Sequence, residues 1–175
     1  MFKLLLILFM LSLGLQASTL KDYYRLSEEQ RAILHQAYLR AQPYDLGYTM
    51  AAFGWHESVA GKVRINTNFS TDKPSIDVGL YHLNSISLLD RFYKLHPKIT
   101  RSHYLDNVLL HQATVNDAWA SRYAVREFMY WRNRGRSYND SIKSWNCGNN
   151  INRSRCVKYL YEIRSKVKIL QEVYE

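Results

Sequence analysis

The sequence contains only two cysteines, Cys147 and Cys156, and it has no repeat, linker or low-complexity segment. Two thiols without a supporting cluster of histidines make a poor zinc site, so we predict no bound metal and no other cofactor. The absence of a linker leaves a single domain. A chain of 175 residues, 47% hydrophobic and 14% aromatic, has enough apolar material for a core of its own.

The N-terminal apolar run is short for a membrane-spanning helix. Lys3 precedes an apolar run from Leu4 to Leu15, and a small-residue cleavage signal comes before Ser18. This order is typical of a secretory signal peptide, and no cysteine follows that could carry a lipid anchor. We therefore predict a cleaved signal peptide at 1–17, a mature domain at 18–175 and a periplasmic or secreted protein without a stable membrane span, rather than an uncleaved anchor.

Charge of one sign dominates, with 24 Lys and Arg against 15 Asp and Glu and a formal net charge of +9. So basic a protein would ordinarily suggest nucleic-acid binding. An exported protein meets few nucleic acids, and the basic residues are spread along the chain, so we predict no nucleic-acid partner. Two explanations stay open, which are attraction to anionic polymers of the envelope and a surface that is simply well solvated.

Export also bears on the two cysteines. In an oxidising compartment, two cysteines as close in sequence as Cys147 and Cys156 can close a small loop through a disulfide. We therefore predict that they are joined. The alternative is that both are small buried hydrophobic side chains with free thiols.

Helical patterns dominate the chain outside one stretch. Ser27 and Gln30 have the pattern of a capping box, and the apolar face that follows ends at Pro43. Residues 58–78 lack the helical period and are rich in turn-forming residues, which predicts a long loop or a small hairpin of the kind that is usually functional. Further helices are predicted at 45–57, 85–96, 104–112 and 116–134, from Ser137 onward, and at 154–174. We predict a mainly α, single compact domain.

The helix predicted at 45–57 is apolar nearly all round and ends in one acid, Glu57. Burial disfavours a charged carboxyl, and the C-terminal end of a helix is already negative, so both effects raise the pKa of Glu57. A carboxyl group that keeps its proton near neutral pH is what general acid catalysis requires. The alternative is a glutamate at a helix end that points into water.

Three short segments extend this interpretation. Glu57-Ser58 is followed by GLYHLNS at 79–85 and then by WNCG at 145–148. Together they resemble the lytic transglycosylase family of the lysozyme superfamily. The pattern of that family is a Glu-Ser after an apolar helix, then a Gly-Leu-Met-Gln-Ile type segment, then an Ala-Tyr-Asn-Ala-Gly type segment. The order and spacing match across roughly residues 45–165, which implies an α+β lysozyme-like fold.

The resemblance implies that Glu57 is the catalytic acid and then the base. It would cleave the β-1,4 bond between N-acetylmuramic acid and N-acetylglucosamine and give 1,6-anhydro-muropeptides, with peptidoglycan glycan strands as the partner. The substrate-binding residues that the resemblance implies lie in the three segments, and they are Ser58, Gly79, Leu80, Tyr81, His82, Asn84, Trp145 and Asn146. Each also has an ordinary structural interpretation as a helix-end, turn, capping or core residue.

The chain departs from the family pattern at three positions. Tyr81 stands where the family usually has Met, His82 where it has Gln, and Trp145 where it has Tyr. The tyrosine hydroxyl of the family contacts the catalytic carboxyl, whereas an indole can donate a hydrogen bond but cannot accept one. The departures leave open a non-catalytic peptidoglycan-binding or assembly protein of the same fold. Family members of this size often act for an envelope-spanning secretion or appendage complex, which is one candidate partner.

Most glycosidases place a second carboxylate beside the sugar. The candidates are Asp72 and Asp77, which follow Glu57 in or just after the predicted loop. We favour a turn or capping role for both, because Asp is common at such positions. If one of them served the reaction and water attacked the sugar, the protein would be a hydrolytic muramidase. A basic interaction protein that merely shares helices with the family is the remaining alternative.

Overall fold

The structure is a computed structural model that describes residues 19–69 and 74–175. The predicted signal peptide at 1–17 and the candidate carboxylate Asp72 lie outside the described residues. The described chain is mainly helical with a small sheet, so the predicted fold class is confirmed. Its helices are α1 (Leu20–Tyr24), α2 (Glu28–Ala41), α3 (Gly47–Ser58), α4 (Ser85–Leu95), α5 (His103–Val115), α6 (Asp117–Asn133), α7 (Tyr138–Cys147) and α8 (Ser154–Tyr174). A short 3-10 turn, Gln42–Tyr44, joins α2 to α3, and the strands are β1 (Ile65–Asn68), β2 (Ser75–Val78) and β3 (Leu83–Asn84).

The helices begin where their capping residues stand. The Ser27 side chain accepts a hydrogen bond from the backbone N–H of Gln30, and the Gln30 side chain accepts one from the backbone N–H of Ser27. The predicted capping box is therefore confirmed, and it satisfies two amides that the helix itself leaves unpaired. Ser137 caps α7 by accepting from the backbone N–H of Asp140 at 3.1 Å.

Helix α3 is the centre of the core, and it packs mainly against α2 and α8. A helix that is apolar all round has to be buried on all sides, and most of α3 is. Its buried side chains include Met50, Ala51, Ala52, Phe53 and Trp55. The helix ends at Val59, which adopts a left-handed conformation with φ 53°. The last turn of this buried helix therefore carries Glu57 to the edge of the core.

Among the described residues after α3, two strands pair as a hairpin, which is one of the two alternatives predicted for 58–78. β1 and β2 pair antiparallel, with Ile65 opposite Val78, and β3 adds to β2 with Asn84 opposite Asp77. A turn that begins at Gly79 connects β2 to β3. Gly79 has φ +77°, and a Cβ atom there would stand 1.9 Å from the carbonyl oxygen of Ala113 in α5. Only glycine fits this contact between the sheet and α5.

The end of α7 is tied to the start of α8. Cys147 and Cys156 form a disulfide with their Cα atoms 6.1 Å apart, which is consistent with the predicted pairing. The disulfide closes the loop between the two helices and so holds the segment that carries Trp145 and Asn146 against α8. Within 19–69 and 74–175, no helix has both the length and the apolar character needed to cross a membrane.

Candidate active site

A cleft of about 420 Å³ opens where the end of α3, the sheet and helices α6 to α8 come together. Its lining combines acids, amides and aromatic rings, and the polar groups among them can orient a bound ligand. The residues that line it are Glu57, Asn68, Asp77, His82, Leu83, Asn84, Ser87, Leu88, Tyr123, Glu127, Trp131, Ser144, Trp145, Asn146, Gly148 and Arg155. Five of the nine catalytic and substrate-binding residues predicted from the sequence are among them: Glu57, His82, Asn84, Trp145 and Asn146.

Glu57 lies in this cleft with its side chain only 15% exposed. Burial raises the pKa of Glu57 to about 7, a hydrogen bond from Tyr159 opposes the rise, and the negative charge of Asp77 adds to it. The rise predicted from the sequence is therefore confirmed, with burial as its largest cause. Near neutral pH this carboxyl can both give and take a proton, as an acid that later acts as a base must do.

The hydroxyl group beside Glu57 comes from Tyr159 in α8. Tyr159 Oη donates to Glu57 Oε1 at 2.6 Å, and its ring packs edge-on against His56 with centroids 5.0 Å apart. Burial and the neighbouring carboxyl raise the pKa of Tyr159 well above its usual value, so it remains a donor. Sequence reasoning missed this residue. The spacing of Cys156, Tyr159 and Ile163 on one helical face was the available signal, since all three are buried.

His82 faces the other oxygen of the Glu57 carboxyl. Its Nε2 stands 2.8 Å from the backbone oxygen of Val63, and its Nδ1 stands 3.8 Å from Glu57 Oε2. A carbonyl oxygen can only accept, so Nε2 carries a hydrogen and Nδ1 faces the acid. One ring nitrogen of His82 is therefore held by backbone, and the other is turned toward Glu57.

Asp77 reaches the cleft from β2, so our preference for a turn or capping role is wrong for this residue. Its Oδ1 accepts from Asn84 Nδ2 at 2.9 Å, and its Oδ2 lies 3.4 Å from Asn66 Nδ2. Asn84 has two roles, because its side chain also caps α4 by accepting from the backbone N–H of Ser87 at 3.3 Å. A second carboxylate, held by amide donors, is thus present in the cleft that contains Glu57.

Trp145 and Asn146 line the cleft at the end of α7. The Trp145 ring packs on Phe53 with centroids 4.6 Å apart and stays partly exposed, whereas Asn146 is exposed. A partly exposed indole offers a flat apolar surface of the kind that stacks on a sugar ring. Both residues are therefore accessible from the cleft.

Four predicted substrate-binding residues lie elsewhere, and their expected contacts with sugar are corrected here. Ser58 is fully buried and donates to the Gly54 carbonyl oxygen at 3.0 Å. Gly79 contacts the backbone of α5, and Leu80 is fully buried against Gly54. Tyr81 is fully buried, with its hydroxyl 2.8 Å from Ser121 Oγ, so it cannot stack on a sugar. These residues shape the scaffold behind the cleft.

Glu127 in α6 is a third carboxyl group of the cleft and was not predicted. It pairs with Arg91 at 2.9 Å. Burial raises the pKa of Glu127, while the charge of Arg91 and hydrogen bonds from Arg91 and Trp131 oppose the rise. Nothing in the sequence separates Glu127 from the other charged residues of α6, since its role depends on what the helix faces.

The part of the chain that the structure describes contains no group of three or more His, Cys, Asp or Glu able to hold a metal ion. Comparisons of the chain with protein-family models, with curated proteins and with solved structures find no match. Function is therefore inferred from the geometry of the cleft together with the resemblance of three short segments.

Proposed function

We propose that the protein is a peptidoglycan lytic transglycosylase in which Glu57 is both acid and base. The observation that carries this proposal is the state of Glu57, a nearly buried carboxyl in a polar cleft with a pKa of about 7. Such a group is protonated in a large fraction of molecules at neutral pH and is available to a ligand in the cleft. Its motif partners Trp145 and Asn146 line the same cleft.

The reaction needs only this one carboxyl. Glu57 transfers its proton to the glycosidic oxygen, the bond from that oxygen to C1 of the muramoyl sugar breaks, and positive charge develops at C1. The Glu57 carboxylate then removes the proton of the C6 hydroxyl of the same sugar, and O6 bonds to C1. The product carries a 1,6-anhydro ring and Glu57 recovers its proton. Because the nucleophile belongs to the substrate, no water has to be positioned.

The neighbours of Glu57 suit both halves of this cycle. The Tyr159 hydroxyl donates to Glu57 Oε1 and so stabilises the carboxylate that is left after the first proton transfer. His82 Nδ1 lies 3.8 Å from Glu57 Oε2. A hydrogen-bond donor on one oxygen leaves the other as the one that exchanges a proton with the substrate. A tyrosine hydroxyl therefore contacts the acid from α8, although Trp145 stands where the family has its tyrosine.

A hydrolytic muramidase is the second candidate, and Asp77 is the observation that favours it. Asp77 lines the cleft, and its charge reaches Glu57 strongly enough to raise the pKa of that residue. A carboxylate beside C1 can stabilise the developing charge or activate a water, and the product would then have a reducing end. A non-catalytic peptidoglycan-binding protein with the same cleft is the alternative without chemistry.

Mass spectrometry of soluble products distinguishes these functions. The purified protein and its Glu57→Gln variant are incubated with purified peptidoglycan, and the released fragments are compared. Anhydro-muropeptides from the parent and none from the variant are the expected result. Reducing-end products would favour the muramidase and a direct role for Asp77. No products from either protein, together with retained binding to peptidoglycan, would favour the non-catalytic alternative.

A further inference from the structure

The start of α8 and the end of α7 form one side of the cleft, which we name the α7–α8 wall and define as Ser144, Trp145, Asn146, Gly148 and Arg155. We infer that this wall is a subsite for a muramoyl sugar, in which Arg155 binds the carboxylate carried by the sugar's lactyl substituent. The inference rests on the proposed function and adds the feature by which this cleft distinguishes peptidoglycan from neutral glycans such as chitin.

Arg155 is the one lysine or arginine among the described residues that line the cleft. It is exposed, and its side chain forms no hydrogen bond or ion pair with another described residue. Two other arginines of the chain are paired, Arg91 with Glu127 at 2.9 Å and Arg64 with Asp117 at 2.6 Å. A guanidinium that has no side-chain partner within 19–69 and 74–175, at the edge of a ligand cleft, can bind a carboxylate through two parallel hydrogen bonds.

The charges elsewhere in the cleft restrict where an anionic substituent can lie. Asp77 on β2 and Glu127 on α6 are carboxyl groups of the same cleft, and neither belongs to the α7–α8 wall. A carboxylate of the substrate is repelled near Asp77 and attracted near Arg155. Arg155 also stands in the first turn of α8, where the helix dipole favours an anion. The muramoyl carboxylate therefore fixes the register of the glycan in the cleft.

Ser144 gives a second, independent indication that a ligand belongs at this wall. Its side-chain oxygen is buried, with the residue 2% exposed, and finds no hydrogen-bond partner among the described residues. A buried hydroxyl without a partner costs stability, so its presence in the lining of the cleft points to a partner supplied by the ligand. A hydroxyl or N-acetyl group of the sugar at the cleft floor is a suitable partner.

Two carboxylate sources share this chemistry. In strands stripped of peptide, the lactyl group ends in a free carboxylate, whereas in intact strands it is amide-linked to a stem peptide that carries carboxylates further out. A chito-oligosaccharide has the same β-1,4-linked N-acetylated backbone and no carboxylate. Comparing these three ligands separates recognition of charge from recognition of the sugar backbone.

The test is a binding titration by calorimetry in the full chain carrying Glu57→Gln, so that no cleavage occurs. The probes are chito-oligosaccharide, peptide-free glycan strands and stem-bearing glycan strands. In that background we compare Arg155→Gln, Arg155→Glu and Ser144→Ala with Arg153→Gln. Arg153 is an equally exposed cation two positions away that does not line the cleft, and so it is the matched control.

We expect Arg155→Gln to weaken binding of carboxylate-bearing strands about fivefold, as loss of one exposed charge contact does, and Arg155→Glu to weaken it more. Binding of chito-oligosaccharide should not change, nor should Arg153→Gln alter any probe. A larger effect on peptide-free strands identifies the lactyl carboxylate, and a larger effect on stem-bearing strands identifies the stem peptide. Ser144→Ala should weaken all three probes to a similar degree while the melting temperature stays equal or rises.

Several outcomes would overturn the inference. Equal weakening of charged and neutral probes by Arg155→Gln would remove the charge role, and no weakening by any Arg155 variant would remove the subsite. If the parent bound chito-oligosaccharide but not muramoyl strands, the cleft would still be a glycan site and only the carboxylate inference would fail. If it bound none of the three probes, the proposed function would fail as well.

Discussion

The hydroxyl of Tyr159 donates a hydrogen bond to Glu57 Oε1 at 2.6 Å, although 102 positions separate the two residues. The contact exists because α8 packs directly against α3, the helix that ends beside Glu57. Burial drives the pKa of Glu57 up, and this hydrogen bond restrains the rise. Burial and this hydrogen bond together leave the pKa of Glu57 at about 7, so the carboxyl can both donate and accept a proton near neutral pH.

Replacing Tyr159 with phenylalanine removes a donor that favours the carboxylate. We expect the pKa of Glu57 to move further above about 7, because the Tyr159 hydrogen bond is one of the influences that lower it. The basic limb of the kcat/KM profile should shift to higher pH. The maximal rate should fall about tenfold, since the carboxylate formed after the first proton transfer loses its donor.

The matched control is Tyr161→Phe, which removes an exposed hydroxyl from the same helix. It should leave both the rate and the pH profile unchanged. A Tyr159→Phe enzyme whose basic limb coincides with that of the parent would show that the hydroxyl does not act on Glu57.

The buried acid should also be a cost to stability above neutral pH. The pKa of Glu57 rises from 4.5 to about 7 in the folded protein, so folding favours its protonated form. The stability that the protonated Glu57 side chain contributes is fully present below pH 4.5 and is lost as the pH rises through about 7. At pH 8 we expect Glu57→Gln to be more stable than the parent by about 3 kcal/mol, at about 1.4 kcal/mol per unit of pKa.

Denaturant unfolding at pH 4 and pH 8 measures this difference. The two proteins should be nearly equal at pH 4 and diverge at pH 8. Glu172→Gln, which makes the same change of side chain at an exposed position of α8, serves as the control. Equal stability of the parent and Glu57→Gln at both pH values would mean that the Glu57 carboxylate is well solvated.

Asp77→Asn tests whether the second carboxylate takes part in the chemistry. Its negative charge raises the pKa of Glu57, so the variant should move the basic limb of kcat/KM to lower pH, opposite to Tyr159→Phe. The Asn84 amide can still donate to the oxygen of the new side chain, so the local fold should persist. For a transglycosylase we expect anhydro products to remain, with a rate loss below about tenfold. Loss of cleavage as complete as in Glu57→Gln would assign Asp77 to the reaction.

The sequence was sufficient to predict the features that depend only on residues close to one another in the chain. The raised pKa of Glu57 follows from an acid at the end of an apolar helix, and the bounds of α8 follow from its apolar spacing. It was misleading where a motif suggested that neighbours share a role. Successive residues of a helix point about 100° apart, so Ser58 faces the core when Glu57 faces the cleft.

The contacts that complete the cleft could not be predicted because they join distant segments. Tyr159 was visible as part of a buried helical face, but nothing local indicates that this face meets Glu57. Asp77 was a candidate whose side chain could have pointed to either face of β2, since strand residues alternate. The packing of α8 and the register of the hairpin decide both positions.

Gly79 should be among the least replaceable residues of the scaffold. Gly79→Ala places a methyl group 1.9 Å from the Ala113 carbonyl oxygen at φ +77°, so the sheet or α5 must move. We expect a loss of about 3 kcal/mol or more, because both the conformation and the contact oppose a side chain. Gly135→Ala is the matched control, with φ +80° and no atom within 4 Å of the added carbon.

Thermal and denaturant unfolding of the two glycine variants separates the two causes. Gly135→Ala should cost about 1 kcal/mol, the usual effect of an alanine in the left-handed region. The excess cost of Gly79→Ala is then due to the contact with α5. Equal losses in the two variants would show that α5 yields to the new methyl group without penalty.

The Cys147–Cys156 disulfide should affect binding and stability together. It joins α7 to α8 across a sequence separation of 9, so replacing both cysteines with serine should lower the free energy of unfolding by about 2–3 kcal/mol. Arg155 and Asn146 are the chain neighbours of the two cysteines and line the cleft, so glycan affinity should fall as well. Glu57 and Tyr159 lie on the packed helices α3 and α8, so cleavage should continue at saturating substrate. Reduction of the parent protein with dithiothreitol should reproduce both losses, and the serine variant should not respond to the reductant. If reduction left the melting temperature and the affinity of the parent unchanged, the α7–α8 wall would be held by packing alone.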